Sequence, residues 1–413
     1  MAKGSLFHWG PLTALTIIFT LFIASVYSSL VWWQPVKFTG ILNICLLVVF
    51  LFCILYNFIK AAWVGPGYVP SQWKPENIEH AKLMQFCQIC NGSKAPRSHH
   101  CRQCNRCVMK MDHHCPWINN CVGHKNHKRF TLFLFFVIIG CSYAAVSLIG
   151  CVVEIFSISI NSLKDSLRQA LNRNSGNFKQ TLSEFTQVNP IAYRRMMEEQ
   201  LVPFGFYHLL GTIFCIGLDI GVTIAVGILL YYQVRDIVRN ESAIEAWIVE
   251  KAAYRSKNDS KFIYPYDLGR WENFKQVIHF KGDYIGDGFT WPVIDGCDQY
   301  TLTVEQLRQK QVKKHFAVDY KSIEGYNGSF CGWRQGFRTC LAFPWSLEKR
   351  LRFQKEENLL VTRWRKYWLY GMKIQEEENS VKDPEKGWFP RNCAVRVDDN
   401  EGLESNQEKP KDQ

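Results

Sequence analysis

Charge is absent from three long stretches of this 413-residue chain: Leu12 to Val31, Gly40 to Ile59 and Phe130 to Val153 contain no Asp, Glu, Lys or Arg. Each covers about the 20 residues that an α-helix needs to cross a bilayer core. A fourth apolar run, Phe204 to Tyr232, carries one acid, Asp219. Core helices of soluble proteins seldom stay uncharged for so long, so the pattern excludes a wholly soluble chain and predicts four membrane helices. An uncleaved anchor is expected at the first run rather than a cleavable leader. One Lys precedes the first run, which ends in Tyr27-Ser28-Ser29 without a small-residue cleavage site, and a second apolar run follows closely. The hydrophobic fraction of 47% excludes a disordered or collagen-like chain, and the mean hydropathy of −0.14 conceals how strongly the apolar residues are segregated.

What charge there is has a side. The net +12 suits nucleic acid, anionic lipid or a polyanionic cofactor, and its placement decides among them. Between the second and third runs stand eleven Lys and Arg, from Lys60 to Arg129, against Glu76, Glu79 and Asp112. The positive-inside rule puts this segment in the cytosol, and an even number of spans puts both termini there as well. Asp219 is either a functional acid or one tucked inside the helix bundle near Thr223.

Seven of the 16 cysteines fall between Cys87 and Cys121. In a reducing cytosol such a cluster points to metal rather than disulfides. Cys87-x2-Cys90 and Cys101-x2-Cys104-x2-Cys107 have the spacing of thiolate pairs, and structural zinc takes four N/S ligands. Two sites need eight ligands. Six Cys and two His fill them and leave one thiol over. Spacing alone does not identify it, but Cys115 follows Asp112-His113-His114, which offers a base for the thiol and an acid to orient that base. The usual spacing of a two-Cys-two-His nucleic-acid finger is absent, as is the cross-braced ligand order of a zinc-bearing ubiquitin ligase, so no nucleic-acid partner is expected.

Asp112-His113-His114-Cys115, inside a cysteine-rich segment between the second and third of four spans, resembles the DHHC protein S-acyltransferases over about Leu12 to Ile278. The resemblance implies one structural zinc on Cys87, Cys90, His100 and Cys107 and a second on Cys101, Cys104, His114 and Cys121. It further implies Cys115 as the acyl-accepting nucleophile, His113 as its base and Asp112 as the residue orienting His113. Two flanking family motifs are present in altered form, as Gly65-Pro66-Gly67 and Ser242-Ala243-Ile244-Glu245, and a third resembles Tyr264 to Phe274, with Asn273 tying the tail to the membrane domain. The implied reaction moves a palmitoyl group from palmitoyl-CoA through Cys115 to cysteines of membrane or membrane-associated proteins. Lys94, Arg97 and Arg129 are expected to hold the coenzyme A phosphates, with the acyl chain between the spans. The rival expectation is a membrane-anchored zinc and SH3-like scaffold without chemistry.

Past Arg338, five short apolar runs read as strands: Leu341–Trp345, Leu351–Phe353, Leu359–Val361, Tyr367–Leu369 and Gly387–Val395. Their order resembles an SH3 barrel, a module that takes protein partners, with Pro390 and Asn392 at groove positions. Lys409 and Lys411, near the end, resemble the dilysine signal of endoplasmic-reticulum membrane proteins, and Cys331 and Cys340 are candidates for acylation in their own right.

The expected fold is thus an α-helical polytopic membrane protein with four transmembrane helices, a cytosolic two-zinc cysteine-rich domain and a C-terminal all-β SH3-like barrel. The expected order is helices in 1–60, the cysteine-rich domain in 61–129, helices with a lumenal loop 154–203 in 130–232, a juxtamembrane tail in 233–300, a linker in 301–337, the barrel in 338–398 and a tail in 399–413.

Overall fold

The uncharged runs become helices that continue past their apolar blocks. In the computed structural model, which describes residues 7–32, 38–173, 206–255, 262–346, 348–374 and 385–397, α1 spans Trp9–Trp32 and α2 Phe38–Val64. A short α3, Ile78–Lys82, precedes the cysteines. The longest helix, α4, runs from His127 to Arg173, and α5 from Phe206 to Arg239. Among the described residues, four stretches are long and apolar enough to cross a membrane: Trp9–Val31, Phe38–Val64, His127–Glu154 and His208–Arg239. The expected loop 154–203 therefore begins as 20 further residues of helix, to Arg173; the rest of it lies outside the described residues.

Leu21, Ile54, Phe58, Leu134, Val137 and Leu148 pack between these helices. With lipid on the outside, apolar contact alone does little to hold spans together, so buried polar bonds help select the packing. Asn43 supplies them: its Nδ2 donates to Ser29 Oγ at 2.7 Å and Ser147 Oγ at 3.1 Å, and its Oδ1 accepts from the Tyr143 hydroxyl at 2.7 Å. One amide thereby joins α1, α2 and α4.

Between α3 and α4 the chain folds into three two-stranded hairpins: β1 (Phe86–Cys87) with β2 (Gly92–Ser93), β3 (His99–Cys101) with β4 (Arg106–Val108), and β5 (His113–Cys115) with β6 (Asn120–Val122). Their registers repeat. Phe86 faces Ser93, His100 faces Cys107 and His114 faces Cys121; one step on, Cys87 faces Gly92, Cys101 faces Arg106 and Cys115 faces Asn120. Each turn passes through an asparagine with positive φ, Asn91 (49°), Asn105 (52°) and Asn119 (46°). Asparagine enters this left-handed region more readily than most residues because its short amide can bond locally. After α5, the helix α6 (Ala243–Arg255) follows at once, and Asn273 ties the next segment back by donating to Val238 O at 2.8 Å and Asp267 Oδ1 at 2.6 Å.

The chain divides into two units, Met1–Leu302 and Thr303–Gln413. The second holds an antiparallel five-stranded sheet in the order β10-β9-β8-β7-β11, formed by β7 (Val318–Ser322), β8 (Asn358–Trp364), β9 (Trp368–Lys373), β10 (Lys386–Pro390) and β11 (Ala394–Arg396). Trp368, Leu359, Val361, Leu369, Phe389 and Cys393 fill its core. The expected boundary at 338 and the linker 301–337 need correction. Thr301–His315 is a helix and the first strand is β7, inside the expected linker. Phe337–Leu341 is a short helix, after which Leu341 to Trp345 is no strand: the run contains Pro344, which has no amide to give a ladder. Around Leu351 there are only isolated bridges, Tyr326 with Phe353 and Arg350 with Trp388. Lys409 and Lys411 lie outside the described residues.

Candidate active site and metal centres

The hairpins bring cysteines together in an interleaved way. Cys87 and Cys90, from the first, meet His100 and Cys107 of the second, while Cys101 and Cys104 of the second meet His114 and Cys121 of the third. Within each set the ligand atoms lie within 4.8 Å of one another. His100 Nδ1 is 3.5, 3.4 and 3.9 Å from the sulfurs of Cys87, Cys90 and Cys107, and His114 Nδ1 is 3.7, 3.4 and 3.6 Å from those of Cys101, Cys104 and Cys121. A tetrahedron with Zn–S near 2.3 Å and Zn–N near 2.0–2.1 Å requires S···N separations of about 3.6 Å. Three thiolates and one imidazole on this scale suit a structural zinc.

Cys115 belongs to neither set. It is 5% exposed and packs against Phe58, Ala61, Ile118 and Phe130, at the ends of α2 and α4 that face the hairpins. The start of α1 closes over the following turn: any side chain at Gly10 would strike the Pro116 carbonyl, and Trp9 meets Trp117 edge-on at 5.8 Å.

Asp112 is 4% exposed, and its carboxylate has three donors. His113 Nδ1 donates to Oδ2 at 2.7 Å, Gln233 Nε2 donates to the same oxygen at 2.9 Å, and the Ala243 backbone N–H donates to Oδ1 at 3.1 Å. Burial pushes this carboxyl up, but His113, His127 and Gln233 outweigh it and hold the group well below the usual carboxylate range. With Nδ1 committed to Asp112, the other ring nitrogen of His113 is left for Cys115, with which the imidazole also shares a hydrogen bond. Burial depresses His113; the bonds to Asp112 and Cys115 prevail and raise it to about 9. Phe130 stands edge-on to the ring, with centroids 5.5 Å apart. Carboxylate, imidazole and thiol thus form one hydrogen-bonded line, which is the arrangement of an activated nucleophile.

Gln233 and His127 were not visible as site residues in the sequence. Gln233 comes from α5 and bridges Asp112 to His127, whose Nε2 lies 3.1 Å from Gln233 Oε1. The altered motif Ser242-Ala243-Ile244-Glu245 contributes through its backbone at Ala243 and through Glu245.

Of the residues expected at the coenzyme A phosphates, Arg97 is elsewhere. Its side chain is 0% exposed; Nε and Nη2 each lie 2.7 Å from the Glu245 carboxylate, and Nη1 donates to Asn240 Oδ1 at 3.1 Å. Its guanidinium packs 4.3 Å from the ring centroid of Tyr266. Arg97 is therefore an internal tie between the second hairpin and α6, because a buried guanidinium needs its own carboxylate. Arg129 bonds to Asp283 at 2.6 Å and lies over Tyr56. Lys94 is half-buried beside the first ligand set, where its charge reaches Cys87 and His100. In the sheet unit Cys331 and Cys340 are half-buried neighbours, whereas Cys393 is sealed in the core.

Comparison with known proteins gives consistent matches. Residues 80–250 match the family described as DHHC palmitoyltransferase. The chain is 43% identical to Palmitoyltransferase ZDHHC6 of Danio rerio over 414 residues, covering 99% of this chain and 96% of that protein. Against the Homo sapiens protein of the same name it is 43% identical over 396 residues, covering 94% and 91%. The more distant Palmitoyltransferase PFA4 of Mycosarcoma maydis is 31% identical over 333 residues, covering 70% and 61%.

Proposed function

The chain belongs to the DHHC palmitoyltransferase family and is a protein S-palmitoyltransferase, and from that premise we propose that Cys115 carries the acyl group, His113 handles its proton and Asp112 orients His113. The observation that supports this is the line from the Asp112 carboxylate through His113 to Cys115, while the six other cysteines of the segment stand in two ligand sets.

In this reading His113, oriented by Asp112, accepts the proton of Cys115 and becomes imidazolium. The thiolate attacks the thioester carbonyl of palmitoyl-CoA. The carbonyl–sulfur bond to coenzyme A breaks, and the departing thiolate takes the proton from His113. Neutral imidazole then accepts the proton of a target cysteine, whose thiolate attacks acyl-Cys115 and leaves the enzyme thiolate facing imidazolium again. Each half exchanges one thioester for another, so neither needs much driving force.

Zinc bound at the two Cys3His sets would fix the three hairpins relative to one another. Cys87, Cys90, His100 and Cys107 would hold one ion and Cys101, Cys104, His114 and Cys121 the other. Lys94 and Arg129, which keep part of their side chains exposed, would meet the coenzyme A phosphates. The hairpins and both termini would face the cytosol from the endoplasmic-reticulum membrane, with the sheet unit as an SH3-like module open to a protein partner.

The test is to incubate purified protein with labelled palmitoyl-CoA and map the hydroxylamine-sensitive label. Label on Cys115 is expected. Label confined to other cysteines would refute the reading.

A further inference from the structure

His127, which touches Gln233 on one side, also lines a cavity of about 110 Å³ with Lys110, His124, Lys128, Gln276 and Trp291. At roughly 30 Å³ per water this space is the size of a few waters or one small tetrahedral oxyanion. Its walls are unusually rich in donors. Lys110 is 7% exposed, and its ammonium donates to Asn240 Oδ1 at 2.7 Å but forms no ion pair among the described residues. The nearby acids are engaged elsewhere: Glu245 by Arg97, Asp112 by His113 and Gln233, and Asp283, which lines the cavity, by Arg129. Two further donors, Gln276 Nε2 and Trp291 Nε1, are buried and have no acceptor among the described residues.

Buried polar groups are nearly always satisfied, and a buried ammonium without a counter-charge is costly. Burial and the neighbouring Arg97 accordingly push Lys110 down to about 7. One bound anion would answer all three deficits. A phosphoryl group fits best, because its several oxygens can accept bonds arriving from different directions, and lysine binds phosphate as a point charge.

We propose that this cavity, bounded by Lys110, Lys128, Gln276 and Trp291, is a binding site for a phosphoryl oxyanion distinct from the Cys115 centre. The cavity includes His127, the first residue of α4 and of its apolar span, so a phosphorylated lipid headgroup lies within reach, as do soluble phosphates.

The full-length protein in phosphatidylcholine nanodiscs provides the test, with unfolding temperature as the readout. Inorganic phosphate and free coenzyme A are titrated in separate arms, and a third uses nanodiscs doped with a phosphatidylinositol phosphate. A saturable rise of several degrees is expected in at least one arm, and the arm that gives it identifies the source. In Lys110→Met, and in Trp291→Phe, which keeps an aromatic ring but removes the N–H, the midpoint of that rise should move at least tenfold to higher ligand. No saturable rise in any arm, or the same midpoint in both variants, would overturn the proposal. The readout does not depend on acyl transfer.

Discussion

The second and third hairpins are nearly the same object, yet one gives all three of its cysteines to the ligand sets and the other leaves Cys115 outside both. His100-Cys101-Arg102-Gln103-Cys104-Asn105-Arg106-Cys107 and His114-Cys115-Pro116-Trp117-Ile118-Asn119-Asn120-Cys121 share strand register, a left-handed asparagine, and His and Cys at matching places. They differ where Cys104 gives way to Ile118. Each ligand set takes two thiols from one hairpin and a His and a Cys from the next. Cys115 stands where Cys87 and Cys101 stand in theirs, but Ile118 occupies the place of its paired thiol, and the hairpin is followed by the helix α4 rather than by a fourth hairpin. Ile118, 1% exposed, instead joins the apolar cluster at the ends of the membrane helices. A metal-binding repeat that runs out of partners leaves a thiol beside the imidazole of His113.

That comparison can be broken most severely at the thiol. Cys115→Ser should lower acyl transfer on the order of a thousandfold or more in a labelled palmitoyl-CoA assay, while elemental analysis still finds two metal ions per chain. A mutant that retains transfer would put the nucleophile at a residue other than Cys115. Arg97, fourteen positions before Met111, anchors only the second hairpin: Arg97→Met would strand Glu245 and should cost about 3–5 kcal/mol of stability, measured by denaturant unfolding. Gln233→Leu removes one of three donors to Asp112; a loss of about 1–3 kcal/mol, or roughly ten- to a hundredfold in transfer rate, is expected with metal content unchanged. Ile118→Cys sharpens the comparison from the other side, since it restores the missing thiol. Transfer by that variant should fall about tenfold on addition of zinc, under conditions that leave the parent protein unaffected.

The smallest expected effect is in pH. Burial raises Glu245, but Arg97 outweighs it and holds the carboxyl below its ordinary value of 4.5. Between the native and the ordinary value the unfolded chain binds more protons than the native one. Stability from this pair is therefore complete above pH 4.5 and declines as pH falls further. Arg97→Met should flatten the acid limb of unfolding temperature against pH.

Hydropathy located the four membrane helices to within a few residues, because the uncharged runs had no other plausible solvent. Their ends were less legible: α4 continues to Arg173 through polar sequence that helix propensity can carry but hydropathy does not mark. Ligand counting established that one thiol was spare, while the partition came from family resemblance. The fourteen-residue interval linking Cys87, Cys101 and Cys115 contained the same information in the chain itself. Gln233 was out of reach, since its meeting with Asp112 joins residues 121 apart and follows only from how α5 packs. In the sheet unit, Val318–Ser322 holds two apolar residues among polar ones, a half-buried alternation overshadowed by the louder aromatic run Leu341 to Trp345.

Zinc-edge X-ray absorption of the parent protein beside Cys115→Ser tests the central claim most directly. Superimposable spectra, fitted by three sulfurs and one nitrogen per ion, are the expected result. Loss of sulfur coordination in the variant would make Cys115 a ligand and contradict the account.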